Sequence, residues 1–357
     1  MRILITGGAG FVGASVALEF RMAHPRAQIV CFDNLRRRGS ELNLARLKHG
    51  GIQFVHGDIR NRSDLDDIAG NFDVLIEASA EPSVHAGVEG SPSYVIETNL
   101  VGTLHCLEFA RKRVDRSIFM STSRVYSLAP LKRIPLREDK TRFVLNPAEP
   151  WDCGLSEKGI SEKFPTDTAR SIYGATKLAS EQMAQEYAHA YNLKILINRC
   201  GVIAGRGQFG KVDQGVFTLW VAHHYFGKPL KYTGYHGSGK QVRDLLHPRD
   251  LFRLFEFQLE KAAEARGDVF NVGGGPESST SLVEMTEMAR QATGRCTEIQ
   301  PVLETSAMDV PYYVTDRTKV EEKFNWRPTW RVRDIVEDIA SWIKENEAFV
   351  RPLFTCD

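Results

Sequence analysis

The chain is expected to fold as an α/β protein, a doubly wound parallel Rossmann sheet with a smaller C-terminal substrate lobe. Three observations predict it. A glycine-rich turn, "GGAGFVG", lies between a short apolar run and a helical stretch. Strand-like and helix-like segments then alternate for about 200 residues. Beyond that point the alternation gives way to loops rich in Gly, Gln and aromatic residues. Alternating strands and helices are the pattern of a parallel sheet covered on both faces.

"RILIT" is a continuous apolar run bounded by glycines, as expected of a strand buried on both faces. "GASVALEFRMA" follows with helical spacing, and "QIVCFD" is the second strand. "IQFVHGD", "FDVLIEAS", "RSIFMSTS" and "KILINR" are further strands. Between them, "SYVIETNLVGTLHCLEFARK" and "YGATKLASEQMAQEYAHAY" have helical periodicity. The later segment has a strand at "DVFNVGGG" and helices near "SLVEMTEMARQATG" and "VRDIVEDIASWIKEN". The expected division is a dinucleotide-binding domain over residues 1–200 that returns at about 245–275, with residues 201–244 and 276–357 forming the lobe.

Composition narrows the classes. The 357 residues are 42% hydrophobic and 25% charged, which is ordinary for a globular chain with a continuous core. A net charge of +1 gives no electrostatic case for nucleic acid or an anionic membrane. No apolar run approaches the roughly 18 residues that span a bilayer, and the N-terminus turns glycine-rich too soon for a signal-peptide core. A cytoplasmic location is the expectation. Cys31, Cys106, Cys153, Cys200, Cys296 and Cys356 are scattered, without a C-x-x-C pair or histidines at ligand spacing, so free thiols and no metal are expected.

Gly7, Gly10 and Gly13 have the spacing G-x-x-G-x-x-G. The first permits a tight turn out of the strand, the second lets backbone approach a pyrophosphate, and the third lets helix and sheet pack closely. The helix start then offers free N–H groups to the phosphates. Asp33 lies 20 positions after Gly13, where a carboxylate accepts hydrogen bonds from the adenosine ribose and repels a 2′-phosphate. NAD is therefore the expected cofactor, with Arg36, Arg37 and Arg38 as the feature that would instead suit NADP. Asp58, in "HGDI", suits a polar contact to adenine or a cap on the next helix.

"SIYGATK" puts Tyr173 one helical turn ahead of Lys177. Such a spacing is common by chance. Beside a dinucleotide site it gains a meaning, because a neighbouring ammonium favours the phenolate of a residue whose ordinary pKa is about 10. Thr122, in "MSTSRVY", ends a strand, where its hydroxyl can bridge a substrate oxygen and Tyr173 or simply cap the next turn. Arg243, in "QVRD", can clamp a pyrophosphate bidentately or pair with Asp244 or Asp250. Asp213 and Gln214 belong to a loop that faces the sugar or is merely polar. His223 and His224, adjacent in "FTLWVAHHYF", are expected to pack rather than to bind metal.

Taken together, "GGAGFVG", "FDNL", "GDIRN", "NLVGTLHCLEFAR", "YGATKLASE", "QVRDLLHPRDL", "FNVGGG" and "FNWRPTW" resemble the extended short-chain dehydrogenase/reductase family of nucleotide-sugar epimerases and dehydratases. The resemblance implies NAD as a transient hydride store and a nucleoside-diphosphate sugar as substrate. It implies Thr122, Tyr173 and Lys177 as catalytic residues. It implies cofactor contacts from Gly7, Gly10, Phe11, Val12, Gly13, Asp33, Asn34, Arg36, Asp58, Ile59, Ala78, Ala80 and Asn99, together with Tyr173 and Lys177. Substrate contacts are implied for Ser83, Thr122, Ser123, Arg124, Arg206, Gln208, Phe209, Gln214, Gln241 and Arg243. Dehydratases of the family follow the Thr with an acidic pair, whereas Ser123 and Arg124 stand here, which favours epimerisation.

"DNLRRRG", the insertion with "GLSEKG", "GRGQFGKVDQG" and "GSGKQVRDLLH" are similar to the CDP-tyvelose (CDP-paratose) 2-epimerases. "EASAEPSV" departs from the usual His-Leu-Ala, and Ile172 stands where many relatives have Pro. A UDP-hexose or UDP-hexuronate 4-epimerase is the alternative, and a non-catalytic dinucleotide sensor is a further one. The helices around Asn99–Arg111 and Tyr173–Tyr191 are apolar on more than one face, so a homodimer or homotetramer is expected.

Overall fold

The computed structural model describes every residue except 89, 152, 210–214, 356 and 357. Its centre is a seven-stranded parallel sheet built from β1 (Arg2–Thr6), β2 (Gln28–Asp33), β3 (Gln53–His56), β4 (Phe72–Glu77), β5 (Val114–Thr122), β6 (Lys194–Cys200) and β7 (Asp268–Val272). The spatial order is β7-β6-β5-β4-β1-β2-β3. This is the doubly wound arrangement the alternating sequence predicts, and its strand order reverses between β1 and β4.

The strand composition follows from burial on both faces. In β1, Ile3 and Ile5 point into one layer and Leu4 into the other, and all three are fully buried. The first layer is closed by the helices Phe11–Ala23 and Pro248–Lys261, whose Phe20 and Phe252 rings meet edge-on at 4.9 Å. The second layer carries the helices Gly102–Arg113 and Ile172–Tyr191. There Leu107, Phe119, Ala184, Ala188, Ile195 and Ile197 form one cluster. The alanines let the long helix lie close to the sheet.

The rest of the chain builds over the C-terminal ends of the strands. Val202–Ile203, Val242–Leu246, Ser279–Ser281 and Tyr312–Tyr313 make a small mixed sheet. Around it the helices Val216–Phe226, Leu282–Thr293 and Val332–Glu345 bury Trp220, Met285, Ile335, Ile339 and Ile343 in a second core. In Val332–Glu345 the buried positions recur at three- and four-residue steps, the apolar stripe of an amphipathic helix.

Asp250 couples the two cores. Its fully buried carboxylate accepts the Thr329 and Trp330 N–H groups, both at 2.9 Å, the Thr329 hydroxyl at 2.9 Å and the Arg253 guanidinium at 3.0 Å. Its carbonyl takes the Trp326 indole N–H at 3.0 Å. The segment "NWRPTW" is thereby pinned to the helix Pro248–Lys261. Asp250→Ala strips two part-buried N–H groups of their acceptor, and an orphaned group that stays out of water costs about 1–3 kcal/mol. The urea midpoint should fall accordingly, by about 2–5 kcal/mol in unfolding free energy. A midpoint equal to the wild type's would remove Asp250 from this role.

Candidate active site

The site begins where β1 meets the glycine turn. Gly7 has φ +67°, and a Cβ there would lie 2.7 Å from the Ala78 carbonyl. A Cβ at Gly13 would lie 2.2 Å from the Gly7 carbonyl oxygen. Packing alone requires those two glycines. Gly10 differs, since a Cβ there would meet only the Gly7 oxygen, at 3.1 Å, and otherwise face open space. Gly10 also caps the helix Phe11–Ala23 without any side-chain acceptor for its first turn. The N–H groups of Phe11, Val12 and Gly13 thus point into an open cradle, which is what a pyrophosphate needs. The residues present fit a dinucleotide.

Asp33, at the tip of β2, accepts N–H groups from Ala9 at 3.1 Å and Leu35 at 2.8 Å. Burial raises its pKa, and those N–H bonds oppose the rise. Asn34 donates to Asp58 at 2.9 Å. Asp58 is held bidentately by Arg60, at 3.1 Å and 2.7 Å. Burial would raise its pKa, but the Arg60 and Asn34 bonds outweigh it and hold the value at about 2. Arg36 lies 3.9 Å over the Tyr94 ring, with Arg60 4.8 Å from the same ring. Arg37 and Arg38 reach towards the lobe, to the backbone oxygens of Phe209 and Pro352, both at 3.5 Å. Arg36 stays on the Tyr94 ring. Ile59 is buried, and its carbonyl faces the His105 ring at 2.8 Å.

The second half of the site lies at the tips of β4 and β5. Ser171 caps the helix Ile172–Tyr191 by accepting the Gly174 N–H at 3.1 Å. A Cβ on Gly174 would sit 2.1 Å from the Arg124 carbonyl, so the helix start is docked directly on the turn Ser123–Val125. That contact brings Tyr173 to Thr122. Burial raises the Tyr173 pKa; the Thr122 hydroxyl and the Arg124 charge pull it down, while Cys200 and Glu81 push it up. Lys177 is only 2% exposed, with its ammonium 4.0 Å over the Phe119 ring. Burial lowers its pKa, and Glu77 and then Glu181 resist.

Asn99 sits in a π-helical turn, Glu97–Val101, a distortion often found at functional sites. It receives the Glu81 N–H at 2.8 Å and returns a bond to the Glu81 carbonyl at 3.0 Å. That clamp shapes the segment holding Ala78, Ala80 and Ser83, and the buried Ser83 hydroxyl accepts the His85 N–H at 3.2 Å.

On the lobe side, Arg124 donates to the Met308 carbonyl at 3.3 Å. Arg243 donates to Asp309 at 3.0 Å and to the Val310 carbonyl at 2.7 Å. Burial lowers the Arg124 pKa to about 10, and the Arg243 charge adds to the effect. Tyr235 completes this group, since its phenol is perturbed by burial first and then by Asp309, Arg243 and Arg124. Gln241 donates to the Thr233 carbonyl at 2.7 Å, and its buried side-chain oxygen has no partner among the described residues.

Other expected substrate residues lie elsewhere in the lobe. The Arg206 guanidinium binds Asp338 at 2.7 Å. Gln208 spans the Ile203 carbonyl at 3.2 Å and the Thr218 hydroxyl at 2.5 Å. Phe209 meets Trp342 edge-on at 5.9 Å. Asp213 and Gln214 fall outside the described residues. His223 and His224 each face a backbone carbonyl, of Pro229 and Trp220. Tyr235, Met308 and Asp309 join the arginine group without having been singled out in the sequence. A glycine-rich "TGYHGSGK" flags Tyr235 weakly, and nothing flags Asp309.

The model of the NAD dependent epimerase/dehydratase family matches residues 3–273. The chain belongs to that family. The CDP-paratose 2-epimerase of Salmonella typhi is 30% identical over 356 residues, covering 96% of this chain and 99% of the relative. The UDP-glucuronate 4-epimerase of Thermodesulfobacterium geofontis is 26% identical, with 98% of both chains covered. A solved structure of a dTDP-glucose 4,6-dehydratase from Streptomyces venezuelae with NAD bound, a double mutant, matches with a TM-score of 0.79 at 25% identity, covering 99% of this chain and 100% of that one. The protein is therefore an enzyme of the NAD-dependent sugar-nucleotide epimerase and dehydratase class, as the sequence motifs imply. Among the described residues no helix is long and apolar enough to cross a membrane, and no group of His, Cys, Asp and Glu could hold a metal ion.

The packing at Gly13 yields a direct test. Gly13→Ala forces its Cβ against the Gly7 carbonyl and should open the turn, weakening NAD binding at least tenfold by calorimetric titration while leaving the far-ultraviolet circular dichroism intact. Undiminished affinity would mean that the turn is not the cradle.

Proposed function

We propose that this enzyme is an epimerase that inverts C2 of a CDP-linked 3,6-dideoxyhexose through a transient ketone. The observation that supports it best is Ser123-Arg124 after Thr122, where an elimination would need an acid and a base. A carboxylate that does face Tyr173 belongs to Glu81, on the segment after β4, and it accepts the Ser83 N–H at 3.2 Å. The similarity to the CDP-paratose 2-epimerase of Salmonella typhi favours position 2 and the cytidine base.

In this reading Gly7, Gly10, Phe11, Val12 and Gly13 hold the pyrophosphate of NAD, Asp33 holds the adenosine ribose, and Lys177 holds the nicotinamide ribose. Bound NAD supplies reversible uptake of the carbinol hydride. Tyr173 takes the hydroxyl proton as that hydride leaves and returns it when the ketone is reduced from its other face. Thr122 orients the phenol on the substrate oxygen. Burial favours the protonated phenol, and the Thr122 hydroxyl and the Arg124 charge act in the opposite direction, towards the phenolate. Arg243 fixes the diphosphate, and the sugar turns between it and Tyr173.

A second reading, a UDP-hexuronate 4-epimerase, is favoured by Arg124. Its guanidinium lies beside both Tyr173 and Arg243, where a substrate carboxylate would neutralise it.

The test is isotopic. CDP-paratose offered in heavy water should return a product of unchanged mass with no deuterium at the inverted carbon, because the hydrogen travels on the cofactor. Proton couplings should place the inversion at C2; inversion at C4 of a UDP-hexuronate would select the second reading. Tyr173→Phe should lower kcat by about 10² or more with NAD still bound. A product lighter by one water, or solvent label at the inverted carbon, would overturn the mechanism.

We also propose a homodimer through the helices Gly102–Arg113 and Ile172–Tyr191. Tyr191 is 50% exposed, its ring meets Tyr187 edge-on at 5.2 Å, and the Arg111 guanidinium lies 5.0 Å over it. Light scattering at micromolar concentration should give twice the mass of the chain, and a monomer would refute the seam.

A further inference from the structure

We propose that Glu77 is a positioning residue, the counter-ion that keeps Lys177 charged across the Phe119 ring. Glu77 ends β4 and is paired in register with Phe119 of β5. Register neighbours in a parallel sheet project to the same face. The Lys177 ammonium rests 4.0 Å over that same Phe119 ring. A buried carboxylate and a buried ammonium thus flank one aromatic side chain at the strand tips.

The hydrogen bonds around Glu77 admit its ionised form. Thr103 lies 2.5 Å from the Glu77 carboxylate and 2.8 Å from the Asn99 carbonyl, and its hydroxyl has one proton to give. The Asn99 carbonyl already receives the Ser180 hydroxyl at 2.7 Å. The Thr103 hydroxyl is placed to donate to the Glu77 carboxyl as well as to that carbonyl.

The charges that face Lys177 leave Glu77 as its match. Glu181, on the same helix, is paired with Arg199 at 2.7 Å. Cys200 on β6 and Cys106 on the helix Gly102–Arg113 are buried thiols pushed far above neutrality, so they are uncharged. Around Tyr173 the facing groups are Thr122, Cys200, Arg124 and Glu81. Among the groups that perturb Lys177, Glu181 has its guanidinium partner in Arg199, which leaves Glu77 as the carboxyl without an arginine partner among the described residues. Burial raises the Glu77 pKa and the Lys177 charge opposes it, as expected of such a couple.

The inference rests on the assignment of Tyr173 and Lys177 as the proton-handling pair, but one arm of its test does not. Glu77→Gln keeps an acceptor for Thr103 and removes the charge. Loss of that charge lowers the Lys177 pKa, so the alkaline limb of the kcat profile should move down by about one pH unit, a tenfold change in proton affinity. Glu77→Asp should restore most of the limb. The independent arm is a melting cycle on the protein without substrate. Glu77→Gln should lower Tm in the wild type and raise it in a Lys177→Met background, where the carboxylate would otherwise be left unpaired. If Glu77→Gln alone does not fold, the double variant should be recovered folded. Equal losses in both backgrounds, an unmoved limb, or failure of the double variant to rescue folding would each overturn the proposal. An enzyme inactive on every sugar nucleotide would leave the melting cycle to decide it.

Discussion

The placing of the Lys177 amino group almost wholly out of water is the constraint on which the C-terminal edge of the sheet depends. Burying an unpaired ammonium costs several kcal/mol even after the surroundings relax. The chain offsets that cost from several elements at once. Phe119 of β5 presents its ring face to the ammonium. Glu77 contributes from β4, and Glu181 from the same helix is shared with Arg199 of β6. Arg199 in turn reaches the Tyr126 hydroxyl at 3.3 Å, and Tyr126 donates to Asn271 of β7 at 2.6 Å. One buried charge therefore ties four neighbouring strands to the helix that carries it.

The same helix must start in the right place for Tyr173 to meet Thr122, and that is a matter of space rather than charge. Gly174 lets the first turn sit against the Arg124 carbonyl at a distance no side chain would permit. The opposite side of the reversal point uses the same device, with Gly13 letting the helix close on the turn and Gly7 letting the turn approach Ala78 after β4. Three glycine contacts around the switch between β1 and β4 thus hold the two walls of the site in place. The cradle of free N–H groups lies on one wall and the phenol on the other.

How much of this was legible in the sequence depended on how far apart the partners lie. The strands of the sheet announce themselves as apolar runs because both their faces are buried. The Gly7–Gly13 turn and the Tyr173–Lys177 turn are local, so spacing alone exposes them. Partners separated by long stretches left no such trace. Arg206 pairs with Asp338 across 132 positions, and Arg243 with Asp309 across 66. Arg36, Arg37 and Arg38 read as one basic run, yet the fold sends one to Tyr94 and two to lobe backbone. Glu77 was visible only as a departure from a motif. Its meaning required knowing that β4 pairs with β5 and that the helix crosses above both.

The segment inserted before the tyrosine helix has a physical task that its sequence does not disclose. Tyr235 and His236 are consecutive non-glycine residues with left-handed backbone, φ +48° and +59°. Each such residue costs about 1–2 kcal/mol, so the loop Gly234–Gly239 needs outside support to hold its shape. Thr305 accepts the Tyr235 N–H at 2.8 Å. The hairpin formed by Leu136–Glu138 and Phe143–Leu145 supplies the rest. Its Phe143 ring meets Tyr235 edge-on at 5.8 Å, its backbone N–H binds the Lys240 carbonyl at 3.0 Å, and Glu138 holds the Lys240 ammonium at 2.7 Å. Arg142 anchors the hairpin itself on Glu284 and on the Ser279 hydroxyl at 3.0 Å. The strained loop runs directly into the strand Val242–Leu246 that carries Arg243. The hairpin thereby supports, from outside the site, the loop that delivers Arg243 to its place.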